Sequence, residues 1–198
     1  MIGKRLFDLF FSFLAILVLL VPGLILAFII LIGSRGGAFY RQVRVGRNGK
    51  HFRLLKFRTM FTGSDSKGLL TIGSADSRVT RPGKFLRKTK LDELPQLLNI
   101  LAGDMSFVGP RPEVPKYVEL YNDKQKKVLS VRPGLTDYAS MEYINESDLL
   151  AQQENPEQFY IDTVMPAKLS LNLTYIADMS FRTDIKIIVR TILKIGKA

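Results

Sequence analysis

Two adjacent carboxylates, Asp92 and Glu93, stand among cations near the middle of the chain. Arg87, Lys88 and Lys90 come directly before them, and Arg111 follows within Gly109-Pro110-Arg111-Pro112. A carboxylate can act as a nucleophile or hold a hard cation such as Mg2+, which needs only one or two protein carboxylates when phosphate oxygens complete its shell. A guanidinium stiffened by a proline on each side grips phosphate bidentately and loses less entropy on binding than a free one. These residue types therefore point to chemistry on an anionic, phosphate-bearing ligand. Acids at a helix start are also ordinary structural signals, so the pair alone decides little and its neighbours carry the argument. A carboxylate glycosidase fits poorly, because its two groups face each other across a sugar at roughly 5 to 9.5 Å, which adjacent residues do not readily do.

Several elements must position these groups. Leu91, Leu94, Leu97, Leu98 and Leu101 recur at helical spacing before Gly103, which predicts a helix beginning near Asp92 with Pro95 in its first turn and both acids at the positive end of its dipole. Residues 39–58 read as two β-rich runs joined across Asn48-Gly49, a hairpin signal, and Lys56 and Arg58, two apart, share one face of the second strand. Two cations on one face suit a phosphate or a solvated surface equally. His51, beside the turn, is assigned no role.

The chain of 198 residues is 46% apolar yet carries a formal charge of +11. With 13 Phe and 7 Tyr it is no disordered polycation. Zero Cys excludes disulfides, thiolate catalysis and Cys zinc sites, and one His leaves no histidine pair. The charge is uneven: residues 35–90 hold 15 Lys or Arg against only Asp65 and Asp76, whereas residues 91–198 hold 12 bases and 15 acids. Such a block suits anionic lipid headgroups or phosphorylated ligands, with nucleic acid as the competitor. Gly and Ser enrichment marks Thr62–Asp76 as a candidate mobile loop.

From Leu9 to Ser34 run 26 residues without a charge, enough to cross a bilayer, which takes about 20. Pro22-Gly23 interrupts the run, and both flanks are basic, so a broken re-entrant hairpin and a kinked single span are both open. At the other end, Lys186, Arg190 and Lys194 lie opposite Ile185, Ile188, Val189, Ile192 and Ile195. This is an amphipathic helix, either lying in the membrane interface or packed on the core with a solvated basic face. Everything after Ser34 reads as one domain.

The runs Lys56-Phe57-Arg58-Thr59-Met60, Leu91-Asp92-Glu93-Leu94-Pro95-Gln96, Gly103-Asp104-Met105-Ser106-Phe107-Val108-Gly109-Pro110-Arg111-Pro112 and Arg132-Pro133-Gly134-Leu135-Thr136, in this order, resemble the bacterial sugar transferase family. The likeness covers nearly the whole chain and is closest to small monotopic phosphoglycosyl transferases. It implies a helix-rich α+β protein: a re-entrant membrane helix hairpin over 1–34 broken near Pro22, then a catalytic domain over 35–198 with a β-hairpin and interfacial amphipathic helices. It implies a place on the cytoplasmic face of the bacterial inner (plasma) membrane, as a stand-alone minimal enzyme without the longer membrane region of larger relatives.

The activity implied is transfer of sugar 1-phosphate from a UDP-sugar to polyprenol (undecaprenyl) phosphate, giving polyprenol diphosphate sugar and UMP and starting a surface glycan. By motif, Asp92 is the nucleophile that forms a covalent phosphosugar intermediate and Glu93 holds Mg2+. Arg87 and Arg111 foremost, with Lys56 and Arg58, bind substrate phosphate, and Asp184 enters as a metal or structural residue. Partners are the UDP-sugar, the polyprenol phosphate and membrane lipid, with no nucleic acid; a homodimer is compatible. After Thr136 many relatives continue with Gly and later an Asn-Gly-Arg-Asn stretch, whereas this chain reads Asp137-Tyr138-Ala139-Ser140-Met141 and onward to Glu146, which questions uridine contact there. The reading from another class is a non-catalytic, membrane-tethered basic module binding acidic lipid or nucleic acid.

Overall fold

The computed structural model describes residues 2–64, 68, 70–73 and 76–196. Its architecture is helix-rich α+β with two small sheets. A long helix α1 (Ile2–Gly33) leads into a hairpin of β1 (Phe39–Val45) and β2 (His51–Phe57), then α2 (Arg81–Lys88) and α3 (Gln96–Ala102). Next come β3 (Ser106–Val108), α4 (Pro115–Val118) and β4 (Gly134–Thr136), with β3 and β4 parallel. Four further helices follow: α5 (Tyr138–Glu142), α6 (Glu146–Ala151), α7 (Pro156–Phe159) and, after a π-helical turn, α8 (Met165–Ala177); α9 (Phe181–Ile195) ends the described chain.

The expected hairpin is present in full register from Phe39↔Phe57 to Val45↔His51. The expected hairpin break in the N-terminal segment is not: α1 is one continuous helical element with Pro22 inside it. Its inward residues Lys4, Asp8, Ser12, Ile16, Leu19, Gly23, Leu26 and Ile30 keep helical phase across the proline. Proline removes one donor from the ladder, but the remaining backbone has no better partner than the helix in apolar surroundings. Phe10, Phe13, Leu17, Leu24 and Phe28 on the other side are exposed, and the helix is long and apolar enough to cross a membrane.

The domain grips α1 along its length. At its start, Lys4 Nζ donates to Asp184 Oδ2 at 2.5 Å and to the Val108 carbonyl at 2.9 Å. Arg5 donates to the Ile100 and Leu101 carbonyls at 2.7 and 3.1 Å, at the C-terminal end of α3 where ladder partners run out. Buried Asp8 accepts from Ser106 Oγ and Phe107 N, both at 3.1 Å. In the middle, Ala15, Ile16 and Leu19 pack on Leu54, Leu97, Ile100 and Met105. Toward its end, Leu26, Ala27 and Ile30 meet Phe57 and Leu86.

A second core joins α4, α6 and α8 through Tyr117, Tyr121, Leu150, Tyr160, Val164 and Leu169. The C-terminal helix is amphipathic as expected, and α9 packs one side on the core. Ile187 is buried against Val108 and Tyr175, while Phe181, Val189, Ile192 and Leu193 are exposed. The Phe181 ring meets Phe7 edge to face, 5.3 Å between centroids, so the apolar surfaces of α9 and α1 adjoin.

Two motif glycines follow from the β3–β4 pair. A Cβ on Gly134 would stand 2.1 Å from the Gly109 nitrogen, and one on Gly109 would stand 2.4 Å from the Arg132 carbonyl oxygen. Bare backbone at both positions lets the two loops cross in contact. The candidate mobile loop Thr62–Asp76 lies partly outside the described residues.

Candidate active site

Three strands of chain converge on Asp92 and Glu93. Asn99 fixes α3 to β2: its side-chain oxygen accepts from Leu55 N at 2.9 Å and its amide donates to the Arg53 carbonyl at 2.9 Å. That lock sets Lys56 beside the turn that precedes α3. The α-helical ladder does not start at Asp92 as the leucine spacing predicts. Leu91–Glu93 winds as a 3-10 turn behind Lys90, whose φ is +58°, and regular helix begins only at Gln96, after Pro95. Proline lacks the donor a longer helix would need there. The acids consequently lie ahead of α3 rather than within its first turn. Gly103 ends α3, as the sequence indicates.

Glu93 is clamped. Lys56 Nζ donates to its Oε1 at 3.0 Å, Arg111 Nη2 donates to the same oxygen, and Arg111 Nη1 reaches Oε2 at 3.4 Å. Burial alone would raise this carboxyl, but the charges of Arg111 and Lys56 override it and hold it well below the usual carboxylate range. Glu93 in turn raises Arg111 above its ordinary value. Burial lowers Lys56, with Glu93 opposing.

Asp92 is treated differently. It is 7% exposed, and among the described residues its carboxylate accepts no hydrogen bond; Lys56 Nζ lies 3.9 Å from Oδ2. Burial pushes its carboxyl up, Lys56 opposes, the Glu93 charge adds to the rise and Arg87 opposes it. A buried carboxylate near cations but bonded to none keeps its lone pairs free for an electrophile.

Arg87 approaches from α2. A Cβ on Gly83 would stand 2.0 Å from the Thr59 carbonyl oxygen, so only glycine lets α2 lie this close to the chain leaving β2. Arg87 Nε then donates to Thr59 Oγ1 at 2.9 Å and Nη1 to Thr71 Oγ1 at 3.1 Å. Burial lowers the Arg87 guanidinium, with the charge of Asp92 opposing.

The structure thus gathers Lys56, Arg87, Asp92, Glu93 and Arg111, and leaves two candidates elsewhere. Arg58 does not share the site with Lys56: it lies past the end of β2 and donates to the Ser34 carbonyl at 2.8 Å and to that of Arg35, tying down the chain just after α1. Asp184 is committed to Lys4 and to Tyr175 OH, the latter at 2.6 Å. Among the described residues no group of three or more His, Asp or Glu stands together to hold a metal. Asp92 and Glu93 still fit Mg2+ shared with a diphosphate, since Glu93 Oε2 carries only the long 3.4 Å contact and two carboxylates suffice. The Asp184 donor set does not fit, its oxygens being taken.

Sequence reasoning passed over the supports: Asn99, Thr59, Arg44 and Asp137. Arg44 donates to the Pro112 carbonyl at 2.9 Å and to Glu113 at 3.0 Å. Asp137 was legible only as a possible helix cap, three residues before Ser140.

The sequence matches the bacterial sugar transferase family over residues 1–198. It is 40% identical over 200 residues to the uncharacterized sugar transferase EpsL of Bacillus subtilis, covering 98% of this chain and 88% of that one. It is 34% identical over 206 residues to the exopolysaccharide production protein ExoY of Sinorhizobium fredii, covering 96% and 84%. A longer relative, the UDP-glucose:undecaprenyl-phosphate glucose-1-phosphate transferase of Klebsiella pneumoniae, is 35% identical over 198 residues, covering 98% of this chain and 40% of that one.

Proposed function

The chain belongs to the bacterial sugar transferase family and is a phosphoglycosyl transferase, and on that premise we propose that it moves sugar 1-phosphate from a UDP-sugar to polyprenol phosphate through a phosphosugar-aspartate. The observation that carries this reading is the contrast between neighbours: Glu93 is clamped by Lys56 and Arg111, while Asp92 is buried beside cations and, among the described residues, accepts no hydrogen bond.

An Asp92 oxygen forms a bond to the β-phosphorus of the donor, and the bridging bond to the α-phosphate breaks, its electron pair leaving with UMP. A polyprenol phosphate oxygen then attacks the same phosphorus and returns Asp92 as carboxylate. Attack of anion on anion is unfavourable without screening. Lys56, Arg87 and Arg111 supply it from fixed positions, in a site where burial strengthens their effect. Mg2+, when bound, would be held through Glu93 and would neutralise diphosphate oxygens.

The apolar elements support a monotopic placement on the membrane, at its cytoplasmic face where nucleotide sugar is made. Both ends of α1 lie on the domain, Lys4 on Asp184 at one end and the chain beyond Gly33 on Arg58 at the other. A simple span would carry its ends to opposite sides. At 1.5 Å per residue α1 is also longer than a hydrocarbon core of about 30 Å. The exposed apolar faces of α1 and α9 adjoin, so both can sink into one leaflet.

The decisive experiment incubates the protein with a panel of UDP-sugars, without lipid acceptor, and weighs it intact. A phosphosugar adduct is expected on the wild type and absent from Asp92→Asn. Transfer to polyprenol phosphate by Asp92→Asn at the wild-type rate overturns the reading. For topology, the absence of cysteine allows single-cysteine probes: Ile2→Cys and Ser34→Cys are expected to label from the same side, and labelling from opposite sides restores a span.

A further inference from the structure

We propose that Asp137 is a positioning residue for Arg111: its buried carboxylate fixes the main chain of Arg111 and so aims the guanidinium at Glu93. The inference rests on Arg111 being the phosphate clamp of the site described above.

Asp137 directly follows β4 and is fully buried, 0% exposed. Its two oxygens do two different jobs. Oδ1 accepts from Ser140 N at 2.6 Å and caps α5, while Oδ2 accepts from Arg111 N at 3.1 Å. The Arg111 loop is otherwise short of anchors at that point. Pro110 and Pro112 fix their own φ angles but lack N–H groups, so Arg111 N is the donor available between them. Before the loop, Gly109 N donates to the Thr136 carbonyl at 3.2 Å and the Pro110 carbonyl accepts from Gly134 N at 3.0 Å; after it, Arg44 holds the Pro112 carbonyl at 2.9 Å. Asp137 thereby closes a frame that ties the loop after β3 to the end of its partner strand. The guanidinium at the far end of the side chain is part exposed and bridges to Glu93. A small rotation of its main chain would swing those nitrogens off target, and misplacement on the scale of 1 Å is costly in a preorganised site.

Only a carboxylate serves both donors. Asparagine offers one oxygen and turns an NH2 toward the other N–H; serine retains a helix-capping oxygen and cannot also reach Arg111.

The test measures UDP affinity and donor kcat/KM on the full chain in detergent for wild type, Asp137→Asn, Asp137→Ser, Arg111→Ala and the two double variants, with melting temperature alongside. Expected are losses of about 10- to 100-fold in kcat/KM and a weaker UDP affinity for both Asp137 variants when Arg111 is present, and less than threefold when Arg111 is alanine. Asp137→Ser, which keeps the cap, is expected to melt close to wild type and still lose activity. Equal losses in both Arg111 backgrounds, wild-type activity in Asp137→Asn, or full recovery by serine each overturn the inference while leaving the transferase reading in place. Coupling in UDP affinity without transfer to any lipid acceptor overturns the transferase reading and leaves the inference standing. No UDP binding by the wild type overturns both.

Discussion

The molecule holds one buried carboxylate cluster at the start of α1 and another at the turn before α3, and they differ in how completely their charges are satisfied. At the start of α1, Asp184 accepts from Lys4 and Tyr175, and Asp8 accepts from Ser106 and Phe107, so each acid is bonded. At the turn before α3, Glu93 is bonded twice over while Asp92, among the described residues, accepts no hydrogen bond and has a cation at 3.9 Å. The first cluster is saturated and holds a helix in place. The second leaves one carboxylate beside cations without a hydrogen bond among the described residues, the one proposed as nucleophile. Burial and charge occur in both, so neither distinguishes them; the proposed site rests on the member that accepts no hydrogen bond among the described residues.

The largest expected effect separates the two clusters directly. Asp92→Asn should lower transfer by about 10³-fold or more, since an amide oxygen is a poor nucleophile, and should raise the melting temperature at neutral pH because a buried, unbonded charge is removed. Asp184→Asn should do the opposite. It leaves Lys4 without its anion, at a cost of about 3 kcal/mol, and should loosen α1 while each folded molecule retains its chemistry. Denaturation and single-turnover transfer on both variants check this. An Asp184→Asn protein that melts normally but transfers nothing would break the comparison and return Asp184 to the active site.

A smaller effect sharpens it. Arg111→Lys keeps one charge but loses the forked contact with both Glu93 oxygens. Donor kcat/KM should fall roughly tenfold while thermal stability changes little, because Lys56 still holds Glu93. At the saturated cluster, Lys4→Arg is expected to move stability and not kcat/KM.

Why one cluster was legible and the other was not follows from how each is built. The candidate pair Asp92 and Glu93, its cations and the Pro-flanked Arg111 sit in short continuous runs, so residue type and local order exposed them. The hairpin was written in Asn48-Gly49 and its flanking strands. What the sequence hid is long-range: Lys4 meets Asp184 across 180 positions and Asn99 stitches Leu55 across 44. Arg58 looked like the partner of Lys56 by strand alternation, but the strand ends at Phe57 and the following residue follows the chain to Ser34. Pro22 looked like a break because local propensity disfavours it, and contacts of α1 with the domain on both sides of it keep the helix in phase. Asp137 could be read locally as a helix cap, but its second oxygen, which holds Arg111 N 26 positions away, had no local signature at all.

The smallest effect lies in the pH dependence of stability, where the two neighbours should slope in opposite directions. Asp92 has its folded value raised above the ordinary 3.8 by burial. As pH climbs from 3.8 the unfolded chain releases this proton before the folded one, so stability falls until the folded carboxyl has also ionised, and is flat beyond. Glu93 is lowered from 4.5 by Arg111 and Lys56 against its burial. Its contribution is complete above 4.5 and is lost as pH falls below it toward the folded value. The stability difference between Asp92→Asn and wild type should therefore grow upward from about pH 4 and level off. The difference between wild type and Glu93→Gln should be largest at neutral pH and shrink below 4.5. Urea midpoints for the three proteins between pH 3 and 8 measure both. Parallel curves for the two variants would mean that the carboxylates share one environment, and the distinction between a held acid and a free one would be lost.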